Sequence, residues 1–190
     1  MSDSPKIAVF VAPGLEEIEG LTVVDLVRRA KIACDVVAIT EDRTVSGSHG
    51  ITIVCDRSIA DADFDFDAYD MLVLPGGIPG TPNLAACAPL TEALAAFAAA
   101  GKMICAICAA PTVFAGLGLL QGRTATCYPS MTDQLVEGGA TLGEGPVVID
   151  GNIITSRGMG TAIDFGLALV AHYAGVEAAK ELGRGIVYQQ

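Results

Sequence analysis

Short apolar runs alternate along the chain with longer segments whose apolar residues recur at helical spacing. The runs are short, contain many β-branched residues and are flanked by glycine, proline or polar residues, which is typical of buried strands. Strands are therefore predicted at residues 6–12, 34–40, 71–74, 103–107 and 124–128.

The helical pattern is clearest over 15–30. There Leu15, Ile18, Thr22, Leu26 and Arg29 lie about one turn apart, with acidic residues early and arginines late, as the helix dipole favours. The same reasoning predicts further helices at 90–102, 109–119, 130–137 and 160–175.

Two more segments have strand character. Residues 51–56 follow a polar stretch and are predicted to form an edge strand or half of a hairpin, and 146–156 carries an Asp-Gly turn between two β-rich runs. Strands that alternate with helices indicate a mostly parallel sheet covered on both faces. The predicted fold class is α/β, a flavodoxin-like three-layer α/β/α sandwich, formed as a single domain over 1–190.

The charge balance limits the possible partners. The 190 residues include 22 acidic and 11 basic side chains, a net charge of −11 that argues against nucleic acid or an anionic membrane surface. The uncharged stretch 103–120 is interrupted by proline and glycine, so a strand and a helix are favoured over a membrane span. The N-terminus lacks a signal-peptide pattern, which predicts a cytoplasmic protein whose six cysteines are reduced.

Cys108 is the leading candidate for chemistry, because ligands of such sheets bind at the carboxyl ends of the strands. It directly follows strand 103–107 and precedes a helix with Pro111 in its first turn, which resembles a nucleophile elbow. We expect backbone amides there to bind an oxyanion and the helix N-terminus to lower the pKa of Cys108. A buried structural cysteine is the alternative that the residues leave open.

Cys105 raises a second alternative, a Cys-x-x-Cys redox pair with Cys108. An extended strand would place the two Cα atoms about 10 Å apart, beyond the reach of a disulfide. The sequence therefore favours a packed role for Cys105.

Three acidic residues open the helix predicted over 15–30. Glu16 and Glu17 are interpreted as solvated acids favoured by the helix dipole. Glu19 lies on a different face, and a carboxyl group turned into a crevice beside a thiol would have a raised pKa and could transfer protons.

The glycine-rich loop 75–80 lacks a phosphate-binding pattern, and Gly76 and Gly77 are expected to let backbone amides approach a ligand. With only His49 and His172 in the chain, no metal site and no Ser-His-Asp hydrolase is predicted.

Four motifs together resemble one protein family. The stretches GLEEIEG (14–20), LVLPGG (72–77), AICAAPT (106–112) and TSRGMGTAIDFGLALV (155–170) are similar to the ThiJ/PfpI superfamily of the class I glutamine amidotransferase-like clan, in its DJ-one branch. The match runs in order from residue 6 to about 188. The resemblance implies a homodimer that works without a cofactor.

The resemblance also implies roles for individual residues. Cys108 falls on the reactive, easily oxidised cysteine of the family, and Glu19 on the carboxylic acid that hydrogen-bonds its sulfur. Gly76, Gly77 and Ala109 match the positions that shape an anion pocket through backbone amides.

Two positions depart from the best-known members. Tyr128 stands where many carry a histidine beside the cysteine, which weakens a protease interpretation, and His49 stands where some have an arginine contributed across the dimer. Asp25 is expected to hydrogen-bond Tyr128 as a supporting partner, and Cys127 to border the pocket as a possible resolving thiol.

The implied activity is a cysteine-dependent, cofactor-free and glutathione-independent glyoxalase of the hydro-lyase type, or a protein deglycase of the hydrolase type. Its substrates would be methylglyoxal, glyoxal or their adducts, with oxidative-stress protection as the outcome. The alternative is a redox-sensing chaperone whose cysteine is oxidised to sulfinate without turnover. The sequence leaves both open because they use the same site.

Overall fold

A computed structural model describes residues 5–188 as a central sheet with helices on both faces. The strands of this part of the chain are β1 Lys6–Val11, β2 Ala33–Ala38, β3 Thr44–Ser46, β4 Thr52–Val54, β5 Arg57–Ser58, β6 Met71–Leu74, β7 Met103–Ile107, β8 Thr124–Ala125, β9 Thr141–Leu142, β10 Val147–Asp150 and β11 Ile153–Ser156. The α-helices are α1 Glu17–Arg29, α2 Gly80–Ala86, α3 Ala88–Ala100, α4 Pro111–Gly116, α5 Thr132–Glu137, α6 Ala162–Ala174 and α7 Val176–Gly185.

The main sheet has the order β10-β11-β7-β6-β1-β2-β5. Its neighbouring strands are parallel except for β10, which pairs antiparallel with β11. Strands β3 and β4 form a separate antiparallel hairpin, and β8 and β9 a short parallel pair. This arrangement confirms the predicted α/β fold class with a mostly parallel sheet.

Side chains that alternate along the strands build one apolar core on each face of the sheet. On one face Val9 and Cys105 pack with residues of α1 and α6, and on the other Phe10 and Ile104 pack with residues of α3 and α4. Because helices cover both faces, β6 and β7 are buried at every position, which explains their uninterrupted apolar sequences.

Most predicted elements are confirmed, with boundaries displaced by a few residues. The strand predicted at 103–107 coincides with β7, 51–56 contains one strand of the β3–β4 hairpin, and 146–156 forms the β10–β11 hairpin. Helix α4 begins at Pro111 rather than at 109, because residues 108–110 form the turn that leads out of β7.

The predicted first helix is confirmed as α1, but the residues that mark its helical spacing are not all on its buried face. Ile18 is half exposed, while Val23, Val24 and Val27 form the buried face that packs toward α6. Spacing alone admits either face of this helix, and contact with the sheet selects the valines.

Within residues 5–188, no single helix is both long and apolar enough to cross a bilayer. In this part of the chain, only α2 and α3 taken together have the length and apolar composition of a membrane span, and they meet at a bend of 78°. The uncharged stretch 103–120 is divided between β7 and α4.

Candidate active site

Four loops meet where neighbouring parallel strands of the main sheet end. Strand β7 leads into Cys108, β6 into Gly76 and Gly77, β1 into the segment before α1, and β11 into Gly158. Because the sheet order is β11-β7-β6-β1, the loops lie side by side at one edge, as expected for a ligand site in this class of fold.

Cys108 occupies a sharp turn between β7 and α4. Its φ of 66° lies in the left-handed region, which a residue with a side chain adopts only when surrounding contacts hold it there. Its N–H donates to the carbonyl oxygen of Ser156 at 3.0 Å, and its own carbonyl accepts from the Tyr128 N–H at 2.7 Å. The turn leaves the half-buried thiol at the edge where the loops meet.

Glu19 reaches the same place from the first turn of α1. Its side chain is buried, and its Oε2 accepts a hydrogen bond from the Gly76 N–H at 2.9 Å. The other carboxyl oxygen, Oε1, has no hydrogen-bond partner within the described chain although it is buried. An unpaired buried oxygen of this kind favours the protonated carboxyl group.

Gly76 lies against both the thiol and the carboxyl group, which also interact directly through a side-chain hydrogen bond between Cys108 and Glu19. A Cβ at this position would lie 2.6 Å from Glu19 Oε2 and 2.7 Å from Cys108 Cβ. Both side chains therefore lie against the same few atoms of backbone, and only glycine allows that approach. We refer to Cys108 and Glu19 as the thiol–carboxyl pair.

Each member of the pair has a raised pKa. Burial raises the pKa of Glu19 from 4.5 to about 7, and the charge of Glu16 adds to the effect. Burial also raises the pKa of Cys108 to about 12, assisted by the neighbouring Glu19 and opposed by the backbone N–H groups of Ala109 and Gly77.

The expected lowering of the Cys108 pKa is therefore wrong in direction. Helix α4 starts only at Pro111, and it is a short helix, so its dipole contributes little against burial and the adjacent carboxylate. A protonated Glu19 would remove the opposing charge, so ionisation of the thiol depends on the proton of Glu19.

The three positions assigned to an anion pocket have different surroundings. The N–H groups of Gly77 and Ala109 act on the Cys108 sulfur, which places them where an oxygen on the attacked carbon could be bound. The Gly76 N–H is already donated to Glu19, so its contact is with the carboxyl group rather than with an anion.

Tyr128 lies next to the thiol. Its side chain is half exposed, and a Cβ at Gly158 would lie 3.5 Å from the Tyr128 ring and 3.8 Å from Cys108 Sγ. The expected hydrogen bond between Asp25 and Tyr128 is wrong. The Asp25 carboxylate instead accepts a hydrogen bond from Arg29 Nε at 2.6 Å on the exposed side of α1.

Cys127 and Cys105 belong to different cores. Cys127 is buried in the core that α3 and α4 share, and burial raises its pKa to about 11. Cys105 is fully buried on the opposite face of the sheet, and burial raises its pKa as well. The packed role expected for Cys105 agrees with this position, and the resolving role of Cys127 stays a prediction.

Glu17 is the residue that sequence reasoning missed. It is buried rather than solvated, and it accepts hydrogen bonds from His49 N–H at 2.8 Å and from the Ile51 N–H at 3.4 Å, with the His49 ring at 3.1 Å. Ligand atoms of Glu16, Glu17 and His49 lie within 4.8 Å of one another, but the loop contacts already engage Glu17, so we assign no metal to them.

Comparison with known proteins places this geometry in context. The sequence profile of the DJ-1/PfpI family matches residues 5–172. The chain is 38% identical over 179 residues to Protein dj-1beta of Drosophila melanogaster, covering 94% of this chain and 95% of the relative. The crystal structure of that Drosophila protein superposes with a TM-score of 0.90 at 37% identity, covering 98% of this chain and all of the other.

Two further relatives bear on chemistry. Glutathione-independent glyoxalase DJR-1.2 of Caenorhabditis elegans is 35% identical over 167 residues, which cover 88% of this chain and 87% of the relative. The structure of Toxoplasma gondii DJ-1 in an oxidised form has a TM-score of 0.88 at 34% identity, covering 98% of this chain and 100% of that one.

Proposed function

The chain belongs to the DJ-1/PfpI family, and from this premise and the thiol–carboxyl pair we propose that it is a glutathione-independent glyoxalase acting on small α-oxoaldehydes such as methylglyoxal and glyoxal. The observation that carries the proposal is the buried carboxyl group of Glu19, with a pKa raised to about 7, beside the thiol of Cys108. A group that titrates near neutral pH can both accept and return a proton. The relative named as a glutathione-independent glyoxalase supports the same reaction class.

The first step adds the thiol to the aldehyde. Glu19 takes the proton of Cys108, the sulfur forms a bond to the aldehyde carbon, and the carbonyl π electrons move to its oxygen. The N–H groups of Gly77 and Ala109 stabilise that oxygen until Glu19 gives it the proton taken from the thiol, which forms a hemithioacetal and leaves Glu19 ionised again. Burial and the neighbouring Glu19 raise the pKa of Cys108, so the thiol needs a proton acceptor at this place, and Glu19 is the group beside it.

The second step moves hydrogen between the two carbons. Glu19 removes the proton from the former aldehyde carbon, and the neighbouring carbonyl oxygen gains a proton as the carbon–carbon double bond forms, which gives an enediol. Glu19 then returns its proton to the adjacent carbon, while the hydroxyl group of the former aldehyde carbon loses its proton and becomes the thioester carbonyl. The product is the thioester of a 2-hydroxy acid. Addition of water to this thioester releases the hydroxy acid and restores the thiol, so the sum of the steps is one oxoaldehyde plus one water to one hydroxy acid.

The direct test is turnover of methylglyoxal to lactate by purified protein without glutathione. Cys108→Ala and Glu19→Gln should abolish lactate formation, and Cys87→Ala should leave it unchanged because Cys87 lies apart at the junction of α2 and α3. A wild-type protein that forms no lactate from methylglyoxal, or a Cys108→Ala variant that forms it at the wild-type rate, would refute the proposal. Recovery of unmodified lysine or arginine side chains in a peptide treated with methylglyoxal, together with release of lactate, tests the deglycase variant of the same chemistry.

A redox-sensing chaperone is the second candidate, supported by the oxidised state of the Toxoplasma gondii relative. Oxidation of Cys108 by peroxide to sulfinate adds two oxygen atoms, and a protonated Glu19 together with the Gly77 and Ala109 amides could hold the product. Intact-mass measurement after peroxide treatment distinguishes the candidates. A gain of two oxygens at Cys108 in a protein without lactate formation would favour the sensor.

We also propose that the protein is a homodimer through an exposed apolar groove on α1. Its lining combines half-exposed Ile18 and Leu21 with Ile51, Ile163 and Ile186. Light scattering should give twice the chain mass, and Leu21→Glu should reduce it to one chain, whereas Val54→Glu on the exposed β4 should not. A wild-type mass of one chain would refute the dimer.

A further inference from the structure

Glu17 forms an unusual contact between the start of α1 and a distant loop. Its carboxylate is buried, and residues 47–51 of the β3–β4 hairpin turn around it. The His49 N–H donates at 2.8 Å, the Ile51 N–H at 3.4 Å and the Ser48 hydroxyl at 3.3 Å. Several N–H and O–H donors around a buried carboxylate favour its ionised form.

The titration behaviour of Glu17 agrees with this geometry. Burial by itself would raise the pKa of Glu17, but the backbone and ring of His49 and the Ile51 N–H outweigh it and lower the pKa to about 2. Glu17 is therefore charged throughout the neutral range, unlike Glu19 two residues later.

The loop has the shape that this contact requires. A Cβ at Gly47 would collide with the Glu17 carboxyl group, so glycine is needed for the close approach. Two backbone hydrogen bonds then fasten the loop to the segment before α1, from Ser48 N–H to the Leu15 carbonyl and from Gly14 N–H to the Ser46 carbonyl, both at 2.8 Å.

That segment is in turn connected to the thiol–carboxyl pair. The Glu16 N–H donates to the Gly76 carbonyl at 2.9 Å, and the Gly76 N–H donates to Glu19 Oε2 at 2.9 Å. The Glu16 carboxylate also accepts from the Glu19 N–H at 2.8 Å. A continuous set of hydrogen bonds thus runs from the hairpin loop through residues 14–16 to the carboxyl group that faces Cys108.

We propose that Glu17 is a positioning residue, which holds the hairpin loop against the start of α1 and thereby fixes the placement of Glu19 beside Cys108. Glu17 itself makes no contact with the sulfur. Its loss would let residues 14–16 shift, and Glu19 would then face the thiol at a longer and more variable distance. A displacement of this kind impairs proton transfer far more than it impairs substrate binding.

The test measures how the rate of Cys108 alkylation by iodoacetamide depends on pH, a readout that needs no substrate. Wild-type protein should show an inflection from ionisation of Glu19, and Glu19→Gln should remove it. Glu17→Gln should displace the inflection by about half a pH unit or more, because the amide cannot replace the charge that orders the loop. Glu92→Gln, on the exposed face of α3, is the matched control and should retain the wild-type profile.

A second variant, Gly47→Ala, provides an independent test in case Glu17→Gln fails to fold. Gly47→Ala leaves Glu17 in place but drives the loop away from it, so it should displace the inflection in the same direction as Glu17→Gln. Alkylation profiles of both variants that superpose on the wild type, with melting temperature alone lowered, would show a purely structural role and overturn the proposal.

Turnover provides an additional readout that rests on the proposed function. Glu17→Gln should lower kcat for methylglyoxal about tenfold with KM nearly unchanged. A wild-type protein without turnover would refute the glyoxalase proposal alone, because the alkylation profile tests Glu17 independently. A variant that raises KM with kcat unchanged would contradict a positioning role.

Discussion

Replacement of Glu19 by glutamine is expected to stabilise the fold at neutral and alkaline pH while it abolishes proton transfer. The carboxyl group is buried, and its Oε1 has no hydrogen-bond partner in the described chain. Ionisation of Glu19 therefore places a poorly compensated charge in the interior, whereas glutamine is neutral and nearly the same size.

The size of the effect follows from the pKa. A rise from 4.5 to about 7 corresponds to about 3 kcal/mol of unfavourable free energy for the ionised form. The folded protein holds this proton more tightly than the unfolded chain, so the penalty is absent below the unfolded pKa of 4.5 and complete above the folded pKa of about 7. The stability gained by Glu19→Gln should therefore increase with pH by about 2 to 3 kcal/mol across that interval.

Urea denaturation at a series of pH values, from about pH 5 to about pH 8, measures this difference directly. Any difference in unfolding free energy that arises because the glutamine amide group fits the site less well than the carboxyl group does not depend on pH. It therefore cancels when the pH dependence of the unfolding free energy is compared between Glu19→Gln and wild type. Glu17 does not interfere, because its folded pKa of about 2 and unfolded pKa lie below this range. A difference between wild type and Glu19→Gln that stays constant with pH would refute the reasoning, and Glu92→Gln should show no slope.

Three further predictions follow from contacts of the site and the core. Gly76→Ala should lower kcat about 100-fold, because the added methyl group would displace the thiol–carboxyl pair. Gly116→Ala is the control, since a Cβ there would meet open space, and equal kcat values for the two variants would contradict the geometry. Phe114→Ala should cost about 3 to 5 kcal/mol in urea denaturation because Phe114 is fully buried, and a loss no larger than that of exposed Val54→Ala would contradict its place in the core. Tyr128→His should speed alkylation of the nearby Cys108 thiol at neutral pH, because an imidazolium stabilises a thiolate. Tyr128→Phe is the control and should leave the rate unchanged. An unchanged rate in Tyr128→His as well would argue against the proximity of Tyr128 to the thiol.

The central part of the fold was predictable because local pattern and tertiary environment agree there. Residues 103–107 form an uninterrupted apolar run, and β7 is buried on both faces. Helices α2 and α7 were missed for different reasons. Helix α2 follows a loop dense in glycine and proline, which signals a turn. Helix α7 directly follows Gly175, ends at Gly185 and carries several charged residues.

The candidate site was only partly predictable. The position of Cys108 after a strand was readable from neighbouring residues, but the direction of its pKa was not, because that depends on burial and on Glu19, which is distant in sequence. Glu17 looked like a solvated acid since the loop that buries it is 32 residues away. Helical spacing identifies the faces of α1 without indicating which face meets another segment.

The left-handed backbone at Cys108 has an evolutionary consequence. This conformation destabilises a residue with a Cβ by about 1 to 2 kcal/mol, but it does not destabilise glycine. A single nucleotide change converts a cysteine codon into a glycine codon. Selection for stability alone would therefore favour glycine at this position, and a lineage that does not use the thiol of Cys108 has a short route to lose it.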